Sequence, residues 1–195
     1  MPHHPLRLGT RFGGLLALLL FVAAAAQPTR YEVQPGSRFW IDGSATTGPY
    51  TCEAGAVVGH ATVEHDGISA EVRIPVAGFD CGLPPMNRDF RAALQGDRYP
   101  TVLFILQDAE VVEPPARAGG WARVRALGTL QLAGATRMVS ILAEGRELGG
   151  GRVRLRGRHA LRMTDFGIEP PTGMLGLVRA HDHIVVRFDV TARER

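Results

Sequence analysis

The feature that most constrains this chain is a period of two that recurs along most of its length. It is cleanest in "GRVRLRGRHALRM", where Val153, Leu155, Gly157, His159, Leu161 and Met163 share one parity and Arg152, Arg154, Arg156, Arg158 and Arg162 the other. Successive side chains of a strand point to opposite faces, so this run predicts a half-buried strand. The pattern returns in "GISAEVRIPVAGF" with Ile68, Ala70, Val72, Ile74 and Val76, and in "WARVRALGTLQLAG" with Val124, Ala126, Leu130 and Leu132. It returns again in "TRMVSILAEGREL" with Val139, Ile141 and Ala143, and in "HIVVRFDVTA" with Ile184, Val186, Phe188 and Val190.

Turn chemistry separates these runs. "AVVGHATVEHDG" places Val57, Gly59, Ala61 and Val63 on one parity and ends on Asp66-Gly67, a two-residue hairpin signal. "VEPPARAGG" and "ELGGG" are further hairpin connections. "TVLFILQDAEVV" is apolar on both parities for its first five residues, which predicts cover on both faces, with a helix lying over one of them. With an N-terminal pair around 31–33 and 39–41, about eight short-linked strands result. That is the pattern of an all-β antiparallel sandwich or up-and-down barrel. An eight-stranded barrel has an interior that side chains fill or that holds one small ligand. Gly59, Gly128 and Gly157, inside strands, predict bends or bulges that curl the sheet.

One stretch breaks the period. "CGLPPMNRDFRAALQGDRYP" has Asn87 as an N-cap, Asp89 in the first turn, Met86, Phe90, Ala93 and Leu94 as an apolar face, and Gly96 as a stop. It predicts a short amphipathic helix from Asn87 to Gln95.

The first 26 residues are set aside as a signal peptide: Arg7 and Arg11 precede the apolar "GGLLALLLFV", and small residues follow at 23–26. The apolar run is shorter than the roughly 20 residues a spanning helix needs, and polar "QPTR" follows it. The expectation is an exported periplasmic or secreted chain, a single domain over 27–195, with no lipid anchor because no cysteine stands near the cleavage point. All 22 basic residues are arginine, and the net charge of +3 includes the two in the leader, which gives no argument for a nucleic-acid partner. Two cysteines, Cys52 and Cys81, in an exported chain predict one disulfide, the alternative being two free thiols.

Four ordered motifs, "YEVQPGSRFWIDGSA", "CGLPPMNRDFRAALQGDRYPTVLFIL", "LGTLQLAGATRMV" and "MTDFGIEPP" with "LVRAHDHIVVRFDV", resemble the YceI-like family of exported lipid-binding proteins. The resemblance covers the mature chain. It implies a lipocalin-like antiparallel β-barrel with a helix at its side or mouth, whose tunnel holds a polyisoprenoid, quinone-like or other amphiphilic chain. On that reading the helix covers one end of the barrel, and a Cys52–Cys81 bridge staples the loop before it to an early loop at 48–55. The stretch Trp40-Ile41-Asp42-Gly43-Ser44 and the cysteine pair mark a divergent branch.

An apolar ligand is held by an apolar lining alone, so no sharp motif is expected for it. The predicted lumen residues are Val72, Ile74, Phe104, Leu130, Leu155, His159, Leu161 and Phe188. Each has the alternative role of filling a solid core, and His159 that of a satisfied core histidine. His181, Asp182 and His183, with His60 and His65, are weighed as metal ligands and set aside for want of a fixed third ligand. The arginine stripe is read as a solvated outer face rather than a site for anionic head groups, and Asp89 and Asp165 as capping or turn residues. Ser44 lacks a Gly-x-Ser-x-Gly elbow, and no phosphate loop or zinc spacing is found, so neither enzyme activity nor a cofactor is expected. A solid-barrel interaction module is the second function class, and an enzyme using His159 or the His181/His183 pair the third.

Overall fold

In the computed structural model, which describes residues 27–65, 67–173 and 177–195, each alternating run is a strand. The long strands are β1 (Thr29–Val33), β2 (Arg38–Ala45), β3 (Gly48–Ala54), β4 (Val58–Glu64) and β5 (Gly67–Pro75). A 3-10 turn at Val76–Gly78 leads to the short β6 (Phe79–Asp80) and the helix α1 (Pro84–Ala93). Four long strands then form hairpins in turn: β7 (Thr101–Glu113), β8 (Ala122–Leu132), β9 (Ala135–Gly149) and β10 (Arg152–Arg162). After a 3-10 turn at Met163–Phe166 come the two-residue β11 (Thr172–Gly173) and β12 (Val178–Arg179), and the chain ends in β13 (His183–Glu194). The leader assigned to residues 1–26 and the turn residue Asp66 lie outside the described residues.

β13 pairs with β10 along one edge and closes the sheet by serving two neighbours along the other. Its residues 185–189 pair with β2, and Ala192, Arg193 and Glu194 pair with Val33, Glu32 and Tyr31 of β1. An eight-stranded antiparallel ring therefore runs β1, β4, β5, β7, β8, β9, β10, β13 and back to β1. β2, β3 and β6 extend the sheet from β13 where β1 stops. Closure removes the free edges of the ring, and an edge remains in the short extension of β2, β3 and β6.

Burial is uneven along the barrel. The large buried side chains collect at one end, where β5, β8 and β10 finish and β7 and β13 begin: Ile74, Val102, Leu132, Leu161 and Ile184 meet Ile41, Phe79 and Leu94 there, and among the described residues only the small Ala143 and Ala192 are buried away from it. The disulfide between Cys52 and Cys81 lies inside this cluster, with Cys52 only 1% exposed. The helix packs over the same end: its Phe90 ring lies 4.8 Å from Phe79, which stands edge-on to Phe39 at 6.1 Å. The helix thus covers the barrel end through β6 rather than lying over an outer face of β7.

The Met163–Phe166 turn completes the plug. The β9–β10 ladder stops at the Ala143–Gly157 pair, and beyond it the turn packs against both strands. Phe166 and Ile168 are buried, Arg137 of β9 donates to the Asp165 carbonyl at 2.9 Å, and Asp182 accepts from the Thr164 amide and hydroxyl. The motif Asp165-Phe166-Gly167-Ile168 is therefore a filler for splayed strands, with Gly167 at φ 69° supplying the left-handed turn.

Three local expectations are corrected. The segment expected as a loop at 48–55 is the strand β3; Pro49 disguised it, and β3 bonds its second neighbour only at Glu53 and Ala54, so the missing N–H lies on a free edge. The helix begins at Pro84 behind Leu83, not at Asn87; proline suits a first helical position. Asn87 instead accepts the Cys81 amide at 2.6 Å and donates to Asp80, so it fastens the cysteine loop to the helix. The helix stop is Gln95 at φ 49°, one residue before the expected Gly96.

Candidate ligand site in the barrel interior

Register assigns the interior face, because residues directly opposite on antiparallel strands put their side chains on the same side. Gly59, Val72, Phe104 and Leu130 form one row across β4, β5, β7 and β8. A second row joins Val111, Val124, Ala143, Gly157, Phe188 and Phe39, and a third joins His159, Val186, Ile41 and Cys52. The buried Ile74, Val102, Leu161, Ile184 and Ala192 are on the same parity, which makes it the inner face.

All eight predicted lumen residues fall on this face. They do not share one environment. Ile74 and Leu161 belong to the buried plug, at 3% and 9% exposure, whereas Val72 and Leu130 are half-buried and pack against its edge. Phe104, His159 and Phe188 are also half-buried, and Leu155 is 37% exposed although it points inward. Of the other inward residues of that half, Val124, Ile141, Val153 and Val190 are half-buried and Val111 is exposed, while the small Ala143 and Ala192 are buried. A side chain inside a closed ring of strands retains such exposure only where the interior leaves room for water-sized molecules. The barrel is thus sealed with side chains at the helix end and loosely filled toward the other.

The strand glycines serve the interior differently from what was expected. Gly157 faces inward in unbroken register with Phe188, and a Cβ there would lie 2.6 Å from the Phe188 ring. A Cβ on Gly128 would lie 2.7 Å from the Phe104 ring. Both phenyl rings therefore reach over a glycine of the neighbouring strand and take the space that a side chain there would need. Gly128 does sit at a bulge, since Leu106 pairs with Gly128 and Asp108 with Leu127 across a register shift, and further shifts fall between Val111 and Glu113 and between Arg152 and Val153, away from Gly157.

His159 is the polar group of the deep interior. It occupies the row just inside the plug, beyond the last β9–β10 pair, next to Val186. Burial alone pushes its imidazole below the ordinary histidine pKa, with neither a hydrogen bond nor a charge contributing. The ring is neutral near pH 7 and free to donate from one nitrogen and accept at the other.

The remaining candidates sit elsewhere. His181 pairs through Nδ1 with Ser44 Oγ at 2.8 Å, His183 accepts from Arg162, and Asp182 accepts from Thr164, so the three side chains of this run face different partners. Among the described residues no group of three or more His, Cys, Asp or Glu could hold a metal. The outward arginine stripe is partly neutralised by neighbouring strands: Arg154 forks onto Asp189 and Arg156 pairs with Glu144. The guanidinium groups of Arg146 and Arg156 both lie over the Trp121 ring, at 4.6 and 4.0 Å, an outer-wall feature that the sequence did not flag. A surface pocket of about 450 Å³ lies outside the barrel between Arg73, Arg98, Tyr99 and Gln131, and it is wide open to solvent. It is distinct from the interior, sharing only Leu132 with the inner face among the residues argued above.

A closed eight-stranded antiparallel barrel, plugged at one end by a disulfide-tied helix and loosely filled at the other, defines the class: an all-β barrel of lipocalin-like form. The YceI-like domain model matches residues 31–192, and the chain belongs to that family. Solved structures agree on the fold. The chain is similar to BcnA of Burkholderia cenocepacia, at 16% identity and TM-score 0.64, over 80% of this chain and 95% of that one. It is also similar to a polyisoprenoid-binding domain from Saccharophagus degradans implicated in plant cell wall breakdown, at 14% identity and TM-score 0.68, over 85% and 98%. The YceI protein of Campylobacter jejuni matches at 16% identity and TM-score 0.59, over 74% and 84%. No curated protein matches the chain.

Proposed function

We propose that this chain is an exported, non-catalytic binding protein that holds a long apolar or amphiphilic molecule, a polyisoprenoid, quinone-like or other lipid chain, inside its barrel. The observation that carries the reading is the uneven filling of the interior: Leu155 at 37% exposure against Ile74 at 3% on the same inner face. Each methylene moved from water into such a lining contributes about 0.8 kcal/mol, so a chain of many carbons is held without any fixed polar contact. The neighbour described as a polyisoprenoid-binding domain supports this ligand class. The disulfide supports an oxidising compartment, and among the described residues no helix is long and apolar enough to cross a membrane.

The test is native mass spectrometry of the mature protein purified from its own envelope, followed by organic extraction of whatever it carries. A stoichiometric long-chain lipid is expected. An empty protein that also fails to take up polyprenols and quinones would overturn the reading in favour of a solid-barrel interaction module.

A further inference from the structure

We propose that the barrel holds its ligand head-down, with a neutral hydrogen-bonding group such as a hydroxyl, carbonyl or amide seated against His159 and the apolar chain running to the open rim. This rests on the reading of the interior as a lipid site and adds to it a head-group class and a direction.

The argument is the distribution of polarity along the inner face. Near the open rim, the inward positions include Thr29, Tyr31, Glu147 and Glu194, each within two residues of its strand end and in reach of water. At the plugged end, Arg137 shares the inner parity with Leu130, but its guanidinium is committed to the carbonyls of Asp165 and Thr136. Between these extremes the inner face of β10 reads Val153, Leu155, Gly157, His159, and only the last of them carries a polar side chain. Its partner on β13 is Val186, and the next pair inward is the buried Leu161 and Ile184. The deepest accessible point of the interior is therefore also its polar point.

A ring nitrogen in that position, unsatisfied by protein, stabilises a ligand that supplies the missing hydrogen bond and disfavours one that leaves it dry. An apolar tail pushed to the floor would do the latter, which sets the direction. The same position selects charge. A neutral imidazole in a low-dielectric site cannot balance a carboxylate or phosphate, and the inward Arg137 is already engaged. A neutral head is the class that fits.

The experiment is displacement of a fluorescent apolar probe from the mature protein by four chains of equal length: an alcohol, a primary amide, a carboxylate and the plain alkene. The wild type is expected to bind the alcohol and amide roughly tenfold more tightly than the alkene and carboxylate, the worth of one buried hydrogen bond. His159→Leu should bind the alkene unchanged and lose that preference; His159→Gln, which keeps a hydrogen-bonding group, should retain part of it. Equal ranking in wild type and His159→Leu, or a preference for the carboxylate, would overturn this inference while leaving lipid binding intact. Failure of all four chains to bind the wild type would overturn both readings. For direction, a nitroxide at the tail of the alcohol is expected to broaden the amides of Val111 and Val124 at the rim; broadening at Ile41 and Ile184 instead would reverse the orientation and overturn the inference.

Discussion

The ring of Phe188 occupies the space that a side chain on Gly157 would need: its Cζ lies 2.6 Å from where a Cβ would stand, and the Leu142 carbonyl oxygen lies 3.2 Å from the same point. The two residues are direct partners across β10 and β13. The missing side chain on one strand makes the bed for the ring on the next, and the ring in turn covers the glycine backbone.

Gly157→Ala should therefore force the ring off the wall or spread the strands. The expected cost is about 1–3 kcal/mol, as for overpacking a filled site, read as a lowered urea midpoint. Gly67→Ala, where a Cβ meets nothing within 4 Å, should change stability by less than about 0.5 kcal/mol. Equal effects of the two substitutions would contradict the packing account.

Cys52 and Cys81 are 29 residues apart and join β3 to the loop ahead of the helix. Reducing the bridge frees that loop in the unfolded chain and should lower stability by about 2–4 kcal/mol. The helix end should loosen first, so hydrogen exchange at Leu94 and Phe90 should accelerate more than at Val124. Unchanged melting after complete reduction, verified by thiol titration, would refute the bridge as a structural staple.

Asp182 ties the Met163–Phe166 plug to β13. The Thr164 amide and hydroxyl, at 2.9 and 2.7 Å, stabilise its ionised form and hold its carboxyl below the ordinary aspartate pKa. A folded pKa below the unfolded one adds stability that is present above about pH 3.9 and lost as the pH falls through the lower folded value. The difference in melting temperature between wild type and Asp182→Asn should thus be largest at neutral pH and close on acidification below about pH 4. A gap that stays constant down to acid pH would show that the carboxylate charge contributes nothing.

The strands and the inner face were legible because a period of two survives wherever one face is apolar and the other charged, as in Val153 to Leu161 against Arg152 to Arg162. The same parity puts all eight lumen candidates on the inner face, with Ile74 and Leu161 in the buried plug and the others above it. What the sequence did not disclose lies where local signals compete with tertiary context. Pro49 masked β3, since an edge position tolerates a proline that a central one would not. Asn87 carries an N-cap residue type but uses its amide to hold the Cys81 loop, a contact between segments that no local pattern encodes. The glycines looked like bends, and Gly128 does sit at a register shift, whereas Gly157 lies in unbroken register and is small because the Phe188 ring needs the room. Whether inward residues fill a core or line a hollow is likewise invisible to periodicity, since both require the same alternation; the exposure of Leu155 against the burial of Ile74 on one face is the observation that bears on it.

The measurement that tests the central claim most directly is titration of a fluorescent apolar probe, in wild type and in Leu155→Trp. The variant adds bulk to a side chain that points inward in the loosely filled half. If that half is a ligand chamber, the wild type binds one probe per chain, and Leu155→Trp binds at least roughly tenfold more weakly while melting within about 1 kcal/mol of wild type, because the added ring enters free space rather than a packed core. A variant that is strongly destabilised, or one that binds the probe as well as wild type does, would contradict the account.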